Sequence, residues 1–230
     1  MGVDEALLHS VATGSSPDTL RFYQWKEPTL SLGYFQSLSE RHGHSASVAC
    51  PVVRRSSGGG AILHDRELTY CLVMRVLDRY ASQALYDAAH RSLLSVLTTG
   101  AMDAELFEGQ PSPAKGAPFL CFQRRAQGDV IFHGTKICGS AQRREGCAVL
   151  QHGSLLLEKS ACAPELPGIF DLSGRNWSST EDLIAQWKTE LQERLGRTIG
   201  ECEDWDDAEL MAAKRWKNDR FGDFGWVSRR

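Results

Sequence analysis

Apolar residues recur at helical spacing in four stretches of the chain, and each stretch predicts an amphipathic helix. These stretches lie at residues 3–11, 82–100, 178–196 and 206–217. The second has an apolar face and ends in glycine, as helices that pack on a sheet commonly do. The third opens with serine and threonine followed by acidic residues, which is typical of a helix N-cap.

Runs rich in β-branched and aromatic residues, separated by turn-forming residues, predict strands. They lie at residues 20–25, 29–35, 51–55, 59–64, 67–76, 128–134, 135–144 and 147–158. Lys26, Glu27 and Pro28 separate the first two runs, which predicts a hairpin or two neighbouring strands. A loop rich in proline, glycine and serine follows at residues 108–118. The order of elements predicts an α+β fold with a mixed, largely antiparallel sheet covered by helices.

Length and composition fit a globular protein with one catalytic domain over residues 1–230. Apolar residues make up 42% of the 230 residues, charged residues 24%, and the formal net charge is -3. That charge argues against a nucleic-acid-coating surface, and no run is long enough to cross a membrane. We therefore expect a cytoplasmic protein. The seven cysteines contain no CxxC pair, which predicts free thiols and neither a disulfide framework nor a zinc site.

The segment RRSSGGGAILHD, residues 54–65, places two arginines beside three consecutive glycines. Glycines in a row favour positive φ or a close approach of the backbone to another group. Backbone amides next to Arg54 and Arg55 are suited to hold a carboxylate or phosphate. A tight hairpin whose arginines face solvent is an equally good interpretation of this segment. The pattern is neither a P-loop nor a Rossmann motif.

Taken whole, the segment resembles the RRxSGGGAVxHD fingerprint of the lipoate-protein ligase A family. Further matches follow the same order along the chain: DEALL, LSLGYFQ, GTKICGSAQRR, LQHGSLLL and RFGDFGWVSRR. The resemblance covers almost the whole chain. It implies the fold shared by biotinyl and lipoyl protein ligases and class II aminoacyl-tRNA synthetases. It also implies a single catalytic domain without a C-terminal accessory domain.

The resemblance further implies the residues of the site. Lys136 would contact the carbonyl and the phosphate or thioester of the activated acyl group. By its own surroundings, Lys136 lies on a glycine-containing strand where partial desolvation suits it to polarise a carbonyl, although a solvated strand lysine is the simpler interpretation. His64 and His152 are expected near the pocket, with a structural hydrogen-bonding role as the alternative. The other implied binding residues are Arg55, Gly59, Gly60, Ala61, Ile62, Leu63 and Gly139.

Two reactions occur in the family that this sequence resembles. One uses Mg-ATP to make a lipoyl-adenylate; the other moves octanoyl from acyl carrier protein to an enzyme cysteine and needs no cofactor. Both pass the acyl group to a lysine of a lipoyl domain, in 2-oxoacid dehydrogenases or in the glycine cleavage H protein. Cys121 lies 15 residues before Lys136, which is the spacing of the cysteine-dependent octanoyltransferases.

Cys121 is therefore the predicted nucleophile, and the cations of Lys136, Arg124 and Arg125 would favour its thiolate. A small buried thiol without chemistry is the alternative for Cys121, and Cys138 is expected to be structural. The preferred function is octanoyl or lipoyl transfer through a cysteine thioester. Alternatives are an ATP-dependent lipoate-protein ligase, a non-catalytic acyl-binding protein and, less favoured, a biotin-protein ligase. No metal site is predicted.

Overall fold

Two β-sheets form the centre of the molecule. The computed structural model describes residues 1–76, 81–111, 116–174, 179–200, 205 and 207–229. The strands are β1 (Thr19–Tyr23), β2 (Thr29–Leu32), β3 (Val52–Arg54), β4 (Ile62–His64), β5 (Glu67–Arg75), β6 (Ala104–Leu106), β7 (Val130–Phe132), β8 (Thr135–Glu145) and β9 (Ala148–Leu156). Six of them form an antiparallel sheet in the order β1-β5-β9-β8-β7-β6. In the smaller sheet, β2 lies between a parallel β3 and an antiparallel β4.

The helices follow the periodicity of the sequence. They are α1 (Gly2–Thr13), α2 (Ala81–Thr99), α3 (Ile169–Ser173), α4 (Thr180–Leu195), α5 (Asp207–Trp216) and α6 (Phe224–Val227), with a π-helical segment at Lys217–Phe221. Ser179 caps α4 by accepting a hydrogen bond from the Asp182 amide. The four predicted helices are confirmed, and α3 and α6 are too short for periodicity to reveal.

Alternate residues of β5 enter two different cores, because successive side chains of a strand point to opposite faces. Tyr70 and Leu72 pack with residues of α2 and α4 such as Leu93 and Trp187. Cys71 packs on the other face, in a cluster with residues of α1. A third cluster fills the space around the smaller sheet. Helices thus cover the large sheet on both faces, and the predicted α+β architecture is confirmed.

The structure decides against one of the two alternatives for the first two strands. A hairpin is wrong, because β1 and β2 belong to different sheets. Of the predicted 108–118 loop, residues 112–115 lie outside the described residues, as does Cys202. The six cysteines that are described are all free thiols, as expected. Among the described helices, none has both the length and the apolar character needed to span a membrane.

Candidate functional site

The glycine stretch, residues 58–60, connects β3 to β4 across the end of β2. Because β3 and β4 lie on opposite sides of β2, the alternative of a simple hairpin is wrong. Gly59 adopts φ +93°, which favours glycine. At Gly60 a Cβ atom would lie 2.9 Å from Arg124 Cζ and 3.0 Å from the Phe119 carbonyl oxygen. Glycine is therefore required here for backbone geometry and for close approach.

Arg55 holds this loop from inside. Its guanidinium donates to the carbonyl oxygens of Ser31 at 2.9 Å, Gly58 at 2.7 Å and Gly60 at 2.6 Å. The residue is only 2% exposed. Burial, opposed in part by nearby Cys121, lowers the pKa of Arg55 to about 10, so it remains a cation at neutral pH.

Arg54 is fully buried and joins the loop to the C-terminal segment. It donates to the carbonyl oxygens of Gly33 and Gln36 at 2.8 and 2.7 Å, and to that of Val227 at 2.7 Å. The Trp226 indole in turn donates to the Arg54 carbonyl oxygen at 2.9 Å. Both arginines of the motif thus organise backbone rather than face water.

Cys121 begins a short 3-10 turn directly beside the glycine stretch. Its amide donates to the Ala61 carbonyl oxygen at 2.7 Å, and the Ala61 amide donates to the Phe119 carbonyl oxygen at 3.0 Å. A Cβ atom on Gly59 would lie 3.8 Å from Cys121 Sγ. The thiol is partly exposed. Cys121 is therefore held at the glycine stretch by backbone pairing and remains accessible.

Lys136 lies on β8 with its side chain 5% exposed and paired with a carboxylate. Its Nζ is 2.7 Å from Asp129 Oδ2, and Asp129 is 1% exposed. The Ala126 amide donates to the same oxygen at 2.7 Å. A Cβ atom on Gly139 would lie only 2.4 Å from Lys136 Cε, so this glycine provides the space that the lysine occupies. The alternative of a solvated strand lysine is wrong.

Phe122 links the two predicted catalytic residues. It follows Cys121 directly in the chain, and Lys136 Nζ lies 5.5 Å from the centre of its ring. The phenylalanine itself is buried. Through Phe122, the turn that holds Cys121 therefore contacts the strand that holds Lys136.

A small cavity lies next to this region, between the glycine stretch, β1, β5 and β9. Four predicted residues line it: Arg55, Ile62, His64 and His152. The lining that the sequence did not single out comprises Met1, Asp4, Tyr23, Trp25, Thr69, Gly153 and Ser154. Leu63 alternates with Ile62 and His64 along β4 and packs in the core around the smaller sheet instead.

His64 forms a buried polar contact in the cavity wall. Its Nδ1 is 2.5 Å from Glu67 Oε1, and the Trp25 ring stacks on the imidazole with 4.2 Å between ring centres. Thr69 donates to the same carboxylate oxygen and accepts from the Trp25 indole. Among the described residues, His64 Nε2 has no hydrogen-bond partner although it is buried. This leaves one polar atom for whatever occupies the cavity.

His152 lies across from the motif on β9, with Nε2 2.6 Å from Ser57 Oγ. Burial, offset only in part by Asp4, lowers the pKa of His152 to about 4, so the ring is neutral at physiological pH. In Asp4, nearby charges together affect the pKa more than burial does. Burial alone would raise the pKa of its carboxyl, but the Met1 ammonium group and Arg21 lower it to about 2.

The second cysteine considered from the sequence is placed differently from Cys121. Cys138 is fully buried on β8. Burial and, after it, the Asp129 carboxylate raise the pKa of this thiol far above its ordinary value. Such a thiol is a poor nucleophile, in keeping with the structural role expected for it.

Two partners of the site were not predicted. Asp129 lies seven residues before Lys136, and the tight turn at His133 and Gly134, both with positive φ, brings the two strands together. That turn in the sequence GDVIFHGTK was the available signal. Trp25 follows directly after the β1 region, and its position over His64 depends on tertiary packing. Within the described residues, no cluster of His, Cys, Asp and Glu side chains is suited to a metal ion.

Comparison with known proteins finds a matching family and several similar proteins. Residues 1–169 match the lipoyl protein ligase A/B catalytic domain. The octanoyltransferase LipM of Oceanobacillus iheyensis is 39% identical over 163 residues, which are 68% of this chain and 59% of that protein. LipM of Symbiobacterium thermophilum is 33% identical over 220 residues, 88% of this chain and 76% of that protein. The chain spans about 60% of the length of the first of these relatives.

Among solved structures, the bipartite lipoate protein ligase of Thermoplasma acidophilum, described with its E2 lipoyl domain, superimposes with a TM-score of 0.77. The match is 19% identical and covers 99% of this chain and 89% of the other. At that identity the likeness concerns the fold.

Proposed function

The chain belongs to the lipoyl protein ligase A/B catalytic-domain family, and from this we propose that it transfers an octanoyl or lipoyl group from a carrier thioester to a lysine of a lipoyl domain. One observation carries the proposal. Cys121 is an accessible thiol beside Gly59, and its neighbour Phe122 packs on Lys136. A nucleophile and a cation thus border one site, as covalent acyl transfer requires.

In the first half-reaction, the Cys121 thiolate attacks the carbonyl carbon of the incoming thioester. A carbon–sulfur bond forms at Cys121, the bond to the carrier sulfur breaks, and the carrier leaves as a thiol after taking up the proton that Cys121 lost on forming the thiolate. Lys136 stabilises the oxygen on which negative charge develops, because a fixed and water-excluded cation acts strongly at that point. Asp129 keeps the ammonium group in place through its 2.7 Å contact.

In the second half-reaction, the amine of an acceptor lysine attacks the thioester on Cys121. An amide bond forms, the bond to the cysteine sulfur breaks, and the proton lost by the amine returns the cysteine to its resting state. Dividing the transfer into two displacements lets donor and acceptor use the site in turn. No cofactor or metal enters this route.

The cavity next to the glycine stretch, whose free volume is about 20 Å³, is the proposed place for the acyl chain, and the side chains that line it would have to move apart to admit that chain. Arg55 lies at its end nearest to Cys121, and Ile62, Tyr23 and Trp25 form much of the wall. Gly153 and Ser154 line the same cavity and pair with Ser140 and Gly139 of β8, and Gly139 lies against the side chain of Lys136. A chain lying there would have its carbonyl group near both proposed catalytic residues.

The names of the relatives favour the carrier thioester over ATP. The related proteins of Oceanobacillus and Symbiobacterium are octanoyltransferases. The solved lipoate protein ligase is less similar in sequence and supports the fold only. The buried state of Cys138 leaves Cys121 as the better-placed thiol of the two considered.

The test compares the wild type with Cys121→Ala and Cys138→Ala. Each protein is incubated with octanoyl-carrier protein in one reaction and with lipoate, Mg-ATP and a lipoyl domain in another. Intact mass then reports acylation of the enzyme, and a shift of the lipoyl domain reports transfer. We expect an acyl adduct in the wild type and in Cys138→Ala but not in Cys121→Ala.

Three results would overturn the proposal. Transfer that needs ATP and tolerates Cys121→Ala would identify an ATP-dependent ligase. Absence of any adduct and of any transfer in a folded wild-type protein would leave an acyl-binding role. Retained acylation in Cys121→Ala, lost in Cys138→Ala, would move the nucleophile to the buried thiol.

A further inference from the structure

An exposed aromatic and cationic surface borders the glycine stretch. We call it the rim and define it by Tyr34, Phe35, Arg124 and Arg229. Phe35 is 68% exposed, and a Cβ atom on Gly58 would lie 3.9 Å from its ring. Arg124 crosses Gly60 at the other end of the stretch. The rim therefore surrounds the entrance through which a donor reaches Cys121.

Two aromatic rings hold one cation of the rim in a fixed position. The Arg229 guanidinium lies 4.2 Å from the centre of the Tyr34 ring and 4.6 Å from that of Trp226, and it donates to Tyr34 Oη at 2.9 Å. Phe35 meets Tyr34 edge-on, with 4.8 Å between ring centres. Among the described residues this phenol oxygen is the one hydrogen-bond partner of the Arg229 side chain. Most of its N–H groups remain for a group outside the chain.

The charge of the rim points to an acidic partner. The whole chain carries a formal net charge of -3, yet both ionised members of the rim are arginines. Two carboxylates of adjoining segments cap local structure instead: Glu40 accepts from the Ser37 amide, and Asp223 accepts from the Trp226 amide. Tyrosine, phenylalanine and arginine are also the residue types enriched in protein interfaces.

The position of Arg229 on the rim favours the acyl donor over the acyl acceptor as its partner. Arg229 contacts the rings of Tyr34 and Trp226, and Phe35 lies between Tyr34 and Gly58, so aromatic rings separate Arg229 from the glycine stretch beside Cys121. A lysine side chain is short, and the acceptor must bring its own backbone close to the thiol. A carrier protein holds its thioester on a long flexible arm and can remain farther off, where Arg229 stands.

From these observations we propose that the rim, with Arg229 at its outer end, is the docking surface for the acidic carrier protein that delivers the acyl thioester. The proposal rests on the proposed function, because it names the partner of the first half-reaction. Because Arg229 is already packed against two aromatic rings, fixing its side chain in a complex costs little further entropy. This suits an electrostatic docking contact. Such contacts act mainly on the encounter of the partners and weaken with salt.

The experiment measures the two half-reactions separately. Acylation of the enzyme by octanoyl-carrier protein is followed over a range of carrier concentrations, and discharge of preformed acyl-enzyme to a lipoyl domain is followed in single turnover. Arg229→Glu is compared with the wild type, with Arg229→Lys, which keeps the charge, and with Arg91→Glu, which makes the same change in net charge on the exposed side of α2.

We expect Arg229→Glu to raise the carrier concentration for half-maximal acylation by about tenfold at low salt, with a smaller effect at high salt. Discharge to the lipoyl domain should stay within about twofold of the wild type, since surface substitutions outside a contact have small effects. Arg229→Lys should recover most of the carrier dependence, and Arg91→Glu should resemble the wild type.

Three results would overturn the docking surface while leaving the proposed function intact. They are unchanged acylation in Arg229→Glu, equal slowing of both half-reactions, and slowing of discharge alone, which would assign the rim to the acceptor. An effect of equal size with octanoyl-CoA, which lacks a protein surface, would assign Arg229 to the phosphate of the donor. A wild type that never becomes acylated would instead refute the proposed function.

Discussion

Replacement of Asp129 by asparagine tests the contact on which the position of Lys136 depends. The ion pair is short at 2.7 Å, and the two side chains are 5% and 1% exposed. Asparagine keeps the shape of the carboxylate and can still accept from the Ala126 amide, but it removes the negative charge. The ammonium group of Lys136 would then remain buried without a counter-charge.

Removing one partner of a buried ion pair costs about 3–5 kcal/mol, because the other charge stays desolvated. The asparagine side chain offers a hydrogen bond to the ammonium group, so we expect Asp129→Asn to lower the free energy of unfolding by about 3 kcal/mol, the lower end of that range. Equilibrium unfolding in urea measures this loss, and the slope should be unchanged because the surface exposed on unfolding is the same.

The double variant Asp129→Asn with Lys136→Met separates charge from packing. With both charges removed, we expect it to be more stable than Asp129→Asn by at least about 1 kcal/mol, since uncharged replacements of buried pairs are often neutral. Acyl transfer should be lost in the double variant despite that recovery. If Asp129→Asn loses less than about 0.5 kcal/mol, the ordinary range for surface positions, the pair does not hold Lys136 as argued. Strictly additive losses would contradict the coupling as well.

Two further changes probe the site. Gly139→Ala places a Cβ atom 2.4 Å from Lys136 Cε, so the lysine end must move; we expect acyl transfer to fall by about 100-fold with only about 1 kcal/mol of stability lost. Gly43→Ala, which has open space around it, is the control, and equal activity of both variants in the transfer assay would contradict the crowding argument. For His152, the folded pKa of about 4 lies below the ordinary 6.5, so its contribution to stability is complete above pH 6.5 and is lost as the pH falls toward 4. That contribution is at most about 3 kcal/mol, and His152→Gln should flatten the urea-measured stability across this window; an unchanged pH dependence would refute the assigned shift.

Local patterns in the sequence predicted most of the secondary structure, since periodicity and caps depend on neighbours along the chain. The helix after Ser179 and the strand around Lys136 are examples, each defined by its own residues. Pairing between strands depends on distant residues and was predicted less well. The short connection after Tyr23 suggested a hairpin, yet β1 pairs with β5, and β2 pairs with β3 and β4.

In the candidate site too, local features were predicted from the sequence and long-range contacts were not. Glycines and charged residues of the motif were found from sequence because their chemistry is unusual at any position. Asp129 and Trp25 escaped notice because a lone carboxylate and a lone indole are ordinary until the fold gives them partners. The contact of Asp129 with Lys136 depends on the turn between β7 and β8, and that of Trp25 depends on the register of β4. The role of such residues in the site is therefore known only once their side-chain partners are known.

The two arginines of the motif show why charge in a sequence does not locate an anion site by itself. Arg54 and Arg55 are buried, and they donate hydrogen bonds to backbone carbonyl oxygens around Gly33 and the glycine stretch. Each buried carbonyl satisfied in this way fixes a loop that has few side chains of its own. The contact predicted between Arg55 and the acyl group remains a prediction, and it would use the edge that faces the cavity. At the entrance, Arg229 is exposed and Arg124 is partly exposed, so the charges of these two arginines are available to a partner. This difference in burial leads us to expect that charge reversal at Arg54 would damage folding, whereas charge reversal at Arg229 would change only docking.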